Sequence, residues 1–171
     1  FANCANNSAH YFNVPLLIDG AQAVAHTKVN VQQMDCDFYC FSGHKIFGPT
    51  GTGVLYGKRK FLDKFIPYKS GGGIVEKVSN TEAKFRAAPH NLEAGTPNIG
   101  GVIAMGEAIN FINEIGFKSI HQNELNLKEH LKNELEKIPN TTIYHGHSTS
   151  GSENKHVPPI FSFNIDNIHH Y

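Results

Sequence analysis

The chain has 171 residues, 40% of them hydrophobic and 18% charged, with 15 Lys and Arg against 15 Asp and Glu. That balance excludes a dedicated electrostatic nucleic-acid binder, which needs a basic face to release counterions, and the apolar share excludes intrinsic disorder. By length alone the chain amounts to about one ordinary domain.

Phe1, Ala5, Ala9 and Phe12 stand at helical spacing, so residues 1–13 are predicted to be the end of an amphipathic helix closed by Pro15. Leu16-Leu17-Ile18 followed by Asp19-Gly20 predicts a buried parallel strand that ends in a loop. Ala21 to Ala25 is expected to form a short turn or helix, and Val29-Asn30-Val31 a link to the next strand, Asp37-Phe38-Tyr39-Cys40-Phe41. A Gly/Pro-rich loop runs from Ser42 to Gly53 before a third strand at Val54-Leu55-Tyr56, and Arg59 to Phe65 reads as a short helix. Residues 68–92, with Gly71-Gly72-Gly73, are expected to be a long functional loop or a hairpin excursion.

From Thr96 the pattern becomes helical. Thr96-Pro97 reads as N-cap and first helical position, Val102, Met105, Ile109 and Ile112 as one apolar stripe, and Gly116 as a C-terminal cap. A second helix is predicted from Ser119 to Ile138, with Leu127, Leu131, Leu135 and Ile138 inward and Glu124/Lys128 and Lys132/Glu136 as outward pairs. Pro139 ends it; strands at 142–144 and 159–165 flank a polar loop at 146–156. The alternation predicts an α/β architecture with a domain change near residue 119: residues 1–118 belong to one domain and 119–171 begin another.

No apolar run approaches the roughly 20 residues of a membrane span, no signal peptide is visible, and three cysteines make no disulfide framework, so a reducing compartment is expected. The start at Phe1 and the stop at Tyr171 just after a strand-like segment are what a piece of a longer protein would show.

Several chemical readings fail on spacing. Gly48, Gly51 and Gly53 are followed by a strand, whereas both the dinucleotide and the P-loop cradles require a helix there. Cys36 and Cys40, on one strand, would stand about 13 Å apart, too far for one tetrahedral ion or a disulfide. His145, His147, His169 and His170 lack acidic or cysteine company at metal-site spacing, so no metal site is predicted. No G-x-S-x-G elbow is present.

The stronger pattern lies at strand ends. Ligands of open parallel sheets bind beyond the carboxyl ends of the strands, and Asp19, Gln22, Ser42, His44 and Lys45 all fall there. Together they match a pyridoxal phosphate site: an amine to link the cofactor, a carboxylate to keep the pyridine nitrogen protonated, and hydroxyl and imidazole donors for the phosphate.

Asp19-Gly20-Ala21-Gln22, Asp35-Cys36-Asp37-Phe38-Tyr39, Ser42-Gly43-His44-Lys45 with Gly48-Pro49-Thr50-Gly51, and Glu93-Ala94-Gly95-Thr96-Pro97-Asn98 closely resemble the cysteine desulfurase/selenocysteine lyase family. These are fold type I pyridoxal phosphate enzymes of the class-V aminotransferase group, and the resemblance covers roughly residues 10 to 171. It implies the later strands of a mostly parallel large-domain sheet and the beginning of a small C-terminal α+β domain. It further implies that Lys45 carries the cofactor and shuttles the proton, Asp19 pairs with the pyridinium nitrogen, and Gln22 bonds the phenolic oxygen. Ser42 and His44 hold the phosphate, and Thr96 reaches the phosphate of the neighbouring subunit in a homodimer. Gly71-Gly72-Gly73 resembles the family's glycine loop near the active-site entrance.

The implied activity is conversion of L-cysteine to L-alanine, with persulfide sulfur passed to an acceptor protein for iron–sulfur cluster assembly, in the cytoplasm or an organelle such as a plastid. The runners-up are a selenocysteine lyase or another class-V enzyme, and a non-catalytic scaffold on the same fold. The family's nucleophilic cysteine and substrate-binding arginine would follow Tyr171, and its ring-stacking histidine would precede Phe1; none of Cys4, Cys36 or Cys40 occupies the nucleophile's place. Asn91-Leu92 displace the arginine that the family has before Glu-Ala-Gly-Thr-Pro.

Overall fold

The computed structural model describes residues 2–144 and 160–169. The polar loop at 146–156, His145, His147 and His170 lie outside the described residues, as does the first residue of the strand expected at 159–165. The chain divides into two compact units, 1–112 and 113–171.

The first unit is built on a three-stranded sheet in the order β1 (Leu17–Asp19), β2 (Phe38–Ser42), β3 (Gly53–Gly57). Helix α1 (Ala2–Tyr11) precedes it, as the spacing predicted. Strands β1 and β2 run parallel, with Leu17 opposite Phe38 and Asp19 opposite Cys40. Between them the chain makes a 3₁₀ turn at Ala23–Ala25 and the one-turn helix α2 (Val31–Met34), a crossover long enough to bring the chain back to the same end of the sheet. Helix α2 stands where only a link was expected. Asn30 caps it by accepting from the Gln33 amide at 2.9 Å, and Asp35 ends it in the left-handed region at φ 52°. A single turn is too short to show an apolar period.

Strands β2 and β3 are antiparallel, with Phe38 opposite Gly57 and Ser42 opposite Gly53. The described sheet is therefore mixed, because residues 43–52 form a return too short for a parallel crossover. The expectation of a buried β1 fails at its first residue: Leu17 is 52% exposed, since β1 is paired on one side alone among the described residues.

Helix α3 (Arg59–Leu62) follows β3. The excursion at 68–92 is a hairpin of β4 (Val75–Val78) and β5 (Ala83–Phe85). Ile46, Ile74 and Cys36 are the apolar side chains sealed most completely in this unit.

Helix α4 (Ile99–Ile115) buries Gly101, Met105, Ala108 and Ile112. The predicted stripe is correct at Met105 and Ile112 and wrong at Val102 and Ile109, which are exposed. The buried face runs through the small residues Gly101 and Ala108, which let the helix approach its neighbours closely, and residue size rather than hydrophobicity selects it.

In the second unit, Gly116 at φ 78° separates α4 from α5 (Phe117–Glu136). Leu135 is the inward residue of α5; Leu127, Leu131 and Ile138, expected to join it, are exposed. Lys132 and Glu136 do pair, at 3.7 Å. Strands β6 (Thr141–Tyr144) and β7 (Ser162–Ile165) form an antiparallel ladder with Thr141 opposite Ile165. No described helix is long and apolar enough to cross a membrane.

Candidate cofactor site at the carboxyl edge of the parallel strands

Because β1 and β2 are parallel and in register, their carboxyl ends open at one edge of the sheet. Asp19 is the last residue of β1 and Ser42 the last of β2. The Gly20 amide donates to the Cys40 carbonyl at 2.9 Å, carrying the pairing one residue past the strand. The chain then turns over the edge. The Ala21 amide donates to Asp19 Oδ1 at 2.9 Å, the Val24 amide donates to the Gly20 carbonyl at 3.0 Å, and Gln22 leads exposed into the first 3₁₀ turn.

After β2 a second 3₁₀ turn, Gly43–Ile46, lies against the first. Its buried residues are Gly43 and Ile46, three apart and therefore on one face at 3₁₀ spacing, which leaves His44 and Lys45 outward and exposed. Phe47 closes the turn in the left-handed region at φ 64°, with its amide on the Gly43 carbonyl, and the Gly48 amide joins the same oxygen at 2.9 Å. Five predicted site residues, Asp19, Gln22, Ser42, His44 and Lys45, thus stand on one edge.

Thr96 is not among them. It is exposed and forms none of the bonds that join the two turns. It is also not the cap of α4, as the Thr-Pro pair suggested: Asn98 Oδ1 accepts from the Gly101 amide at 3.0 Å, so the helix starts two residues later. The Thr96 segment is nonetheless tied to the site. The Gly95 amide donates to the Gly72 carbonyl at 2.9 Å, which fastens the glycine loop to the Glu93–Asn98 motif. Thr52 packs between Gly43 and Gly101, where a Cβ on either glycine would strike its side chain, and Met105 Sδ faces Gly43. Helix α4 therefore presses its first turn against the back of the lysine turn.

A pyridoxal phosphate fits this donor set. Among the described residues the Lys45 amine enters no ion pair and Asp19 takes part in no salt bridge, while one Asp19 oxygen is occupied by the Ala21 amide and the other is left for a cationic donor. An amide, a hydroxyl and an imidazole stand on the same edge for a phenolic oxygen and a phosphate. No described group of three or more His, Cys, Asp or Glu residues could hold a metal.

The opposite, amino edge of the sheet carries a charged cluster to which no role had been given. Asp37, 1% exposed, precedes β2 and accepts from the Leu16 amide at 3.0 Å. Its carboxylate also meets His10 Nε2 at 3.0 Å and Lys58 Nζ at 3.1 Å, while Lys58 reaches Asp35 at 2.7 Å. Burial pushes the Asp37 pKa up, but the Leu16 amide, Lys58 and His10 outweigh it and the net shift is downward. Lys58 is shifted up, burial being overcome by its bonds to Asp35 and Asp37. A cavity of about 390 Å³ lies beside this cluster, lined by His10, Asp35, Asp37, Lys58 and Phe61 among others. Every charge there has a protein partner, and the strands lead away from it toward Lys45. The cluster is a structural clamp joining α1, β2 and the end of β3. The sequence signal for it was Asp35-Cys36-Asp37 immediately before an aromatic strand, where buried carboxylates need partners.

Comparison with known proteins agrees with this geometry. Residues 3–171 match the aminotransferase class-V family model. A cysteine desulfurase of Cronobacter sakazakii is 44% identical over 165 residues, covering 96% of this chain and 39% of the relative. One from Wigglesworthia glossinidia brevipalpis is 44% identical over 161 residues, covering 94% and 37%. The chain thus spans about two fifths of the length of the curated relatives it matches. Among solved structures, the cysteine desulfurase CsdA of Escherichia coli superposes with a TM-score of 0.87 at 34% identity, over 99% of this chain and 40% of that one. The apo cysteine desulfurase of Thermococcus onnurineus superposes at 0.76 and 36% identity, over 94% and 39%. With its lysine turn and aspartate turn on one edge of an α/β sheet, and with these relatives, the chain belongs to the class-V aminotransferase family and has the fold of pyridoxal phosphate-dependent cysteine desulfurases.

Proposed function

We propose that this chain carries the cofactor-binding segment of a pyridoxal phosphate-dependent cysteine desulfurase. The observation that carries the reading is that the Ala23–Ala25 turn, which Asp19–Gln22 lead into, lies against the Gly43–Ile46 turn at the carboxyl edge of β1 and β2. When bound, the cofactor supplies an electron sink for the bonds around the substrate's α-carbon.

The chain's own residues do the rest. The Lys45 amine holds the cofactor covalently and afterwards takes and returns a proton. The open oxygen of Asp19 accepts from the ring nitrogen and keeps it protonated, because a carboxylate at hydrogen-bond distance favours the cationic form. The Gln22 amide donates to the phenolic oxygen, the Ser42 hydroxyl and His44 imidazole donate to the phosphate, and Thr96 serves the phosphate of a second subunit in a homodimer. The reaction is conversion of L-cysteine to L-alanine, with the sulfur retained as a persulfide on a cysteine of the full protein and passed to an acceptor protein for iron–sulfur cluster assembly. The cytoplasm, or an organelle with a reducing interior, suits that chemistry.

The test uses the full protein. The wild type mixed with pyridoxal phosphate is expected to show the visible absorption band of lysine-bound cofactor, to retain the label after borohydride reduction, and to release alanine from L-cysteine. Lys45→Ala is expected to lose band, label and alanine release together; a reduced label surviving in that variant overturns the assignment. Loading without alanine release leaves the cofactor site standing and points to another class-V activity.

A further inference from the structure

The face of the sheet behind the candidate site holds a side chain that this reading does not use. Tyr39, in the central strand β2, is 3% exposed and pairs with Ile18 of β1 and Tyr56 of β3. Residues opposite each other in a ladder share a face and successive residues alternate. Tyr39 therefore shares the face of Ile18 and Gly20, whereas Asp19, opposite Cys40, projects from the other.

The ring of Tyr39 ends directly beneath the turn. A Cβ placed on Gly20 would fall on the Tyr39 hydroxyl, on Cζ and on Cε1. Gly20 itself is buried, and its φ is not in the left-handed region, so backbone conformation does not explain a glycine there. Space does. The hydroxyl is sealed from solvent and has no hydrogen-bond partner among the described residues. Burial foremost, with Cys36, Asp19 and Cys40 adding to it, pushes the phenol's pKa up. The group stays neutral and offers Asp19 no charge. What it contributes is volume.

We propose that Tyr39 is a positioning residue for the cofactor: its ring is the wedge under Gly20 that sets the tilt of the Asp19–Gln22 turn and so aims Asp19 and Gln22 at the ligand. The backbone bonds Gly20 to Cys40 and Val24 to Gly20 fix the turn along the strand and within itself. Neither resists its sinking toward the face on which Tyr39 lies. This inference rests on the pyridoxal phosphate reading above.

The experiment compares the full protein, loaded with pyridoxal phosphate, as wild type, Tyr39→Phe, Tyr39→Leu, Gly20→Ala and the double variant Gly20→Ala/Tyr39→Leu. The readouts are cofactor dissociation constant, position of the visible band, and thermal midpoint of the cofactor-free protein. Tyr39→Phe keeps the wedge and is expected to match the wild type within about twofold. Tyr39→Leu and Gly20→Ala are each expected to weaken cofactor binding roughly tenfold and to shift the band. The double variant is expected to bind more tightly than Gly20→Ala alone, because the shorter leucine makes room for the new methyl group. Tyr39→Phe losing as much as Tyr39→Leu, or independent addition of the two lesions, overturns the proposal. If Tyr39→Leu does not fold, Tyr39→Met replaces it, and wild-type affinity in Gly20→Ala by itself is contrary to the wedge. A wild type without a visible band instead refutes the cofactor reading, which separates the two failures.

Discussion

Asp37 shows how one side chain binds several elements together. It is held by a backbone amide, an imidazole and an ammonium group while 1% exposed. Removing one member of such a buried set leaves the others unpaired, so Asp37→Ala is expected to cost about 3 kcal/mol in urea denaturation, while the cofactor band of the folded protein stays in place. The sign of the pH dependence follows from the lowered pKa. The carboxylate contributes stability above the ordinary carboxylate value of 3.8, and that stability is lost as pH falls through the lower folded value. Acid unfolding of Asp37→Asn is expected to be flatter below pH ~4 than that of the wild type; an identical acid limb would mean that the cluster does not form. The residues proposed for the cofactor site come from the motif. The partners of Asp37 were not, since His10 and Lys58 lie 27 and 21 positions away in the chain and reach it through the fold alone.

At the scale of elements, α4 separates what a motif suggests from what a helix needs. Thr96-Pro97 has the composition of a cap, yet Asn98 accepts the first free amide. Asn98→Ala is therefore expected to cost about 1 kcal/mol, and Thr96→Ala within about 0.5 kcal/mol of nothing; equal costs in denaturant would refute the assignment. Thr96 is thereby free of a structural duty, which is consistent with the phosphate contact proposed for it. The apolar stripe of α4 was legible in period and not in phase. Val102 and Ile103 are exposed while Gly101 is buried, because Gly101 and Gly43 clasp Thr52 between them and a larger residue could not enter. Hydropathy alone cannot rank a glycine above a valine for burial; close approach of two backbones can.

At the scale of the whole molecule, strand pairing sets where the chain resists opening. Strand β2 is bonded on both sides, by β1 and β3, whereas β7 is bonded to β6 alone among the described residues. Amide hydrogen exchange is expected to be slowest at Tyr39–Phe41 and much faster at Ser162–Ile165. Comparable protection in the two would show that the units do not differ in local stability. The lysine turn grows from the end of the strand that is bonded on both sides, as a site that must hold groups within fractions of an ångström requires.

By itself the sequence determined the α/β class, most of the order of the elements and the motifs from which the site residues are proposed, because turn residues, apolar runs and a lysine beside a carboxylate motif are local properties. Tertiary structure decided the rest. It set the antiparallel return of β3, since loop length and pairing are settled between strands. It placed the Ala23–Ala25 and Gly43–Ile46 turns against each other, and moved the cap of α4 to Asn98. It also assembled the Asp37 clamp and the Tyr39 wedge, whose members share no local pattern and meet because the sheet brings them together.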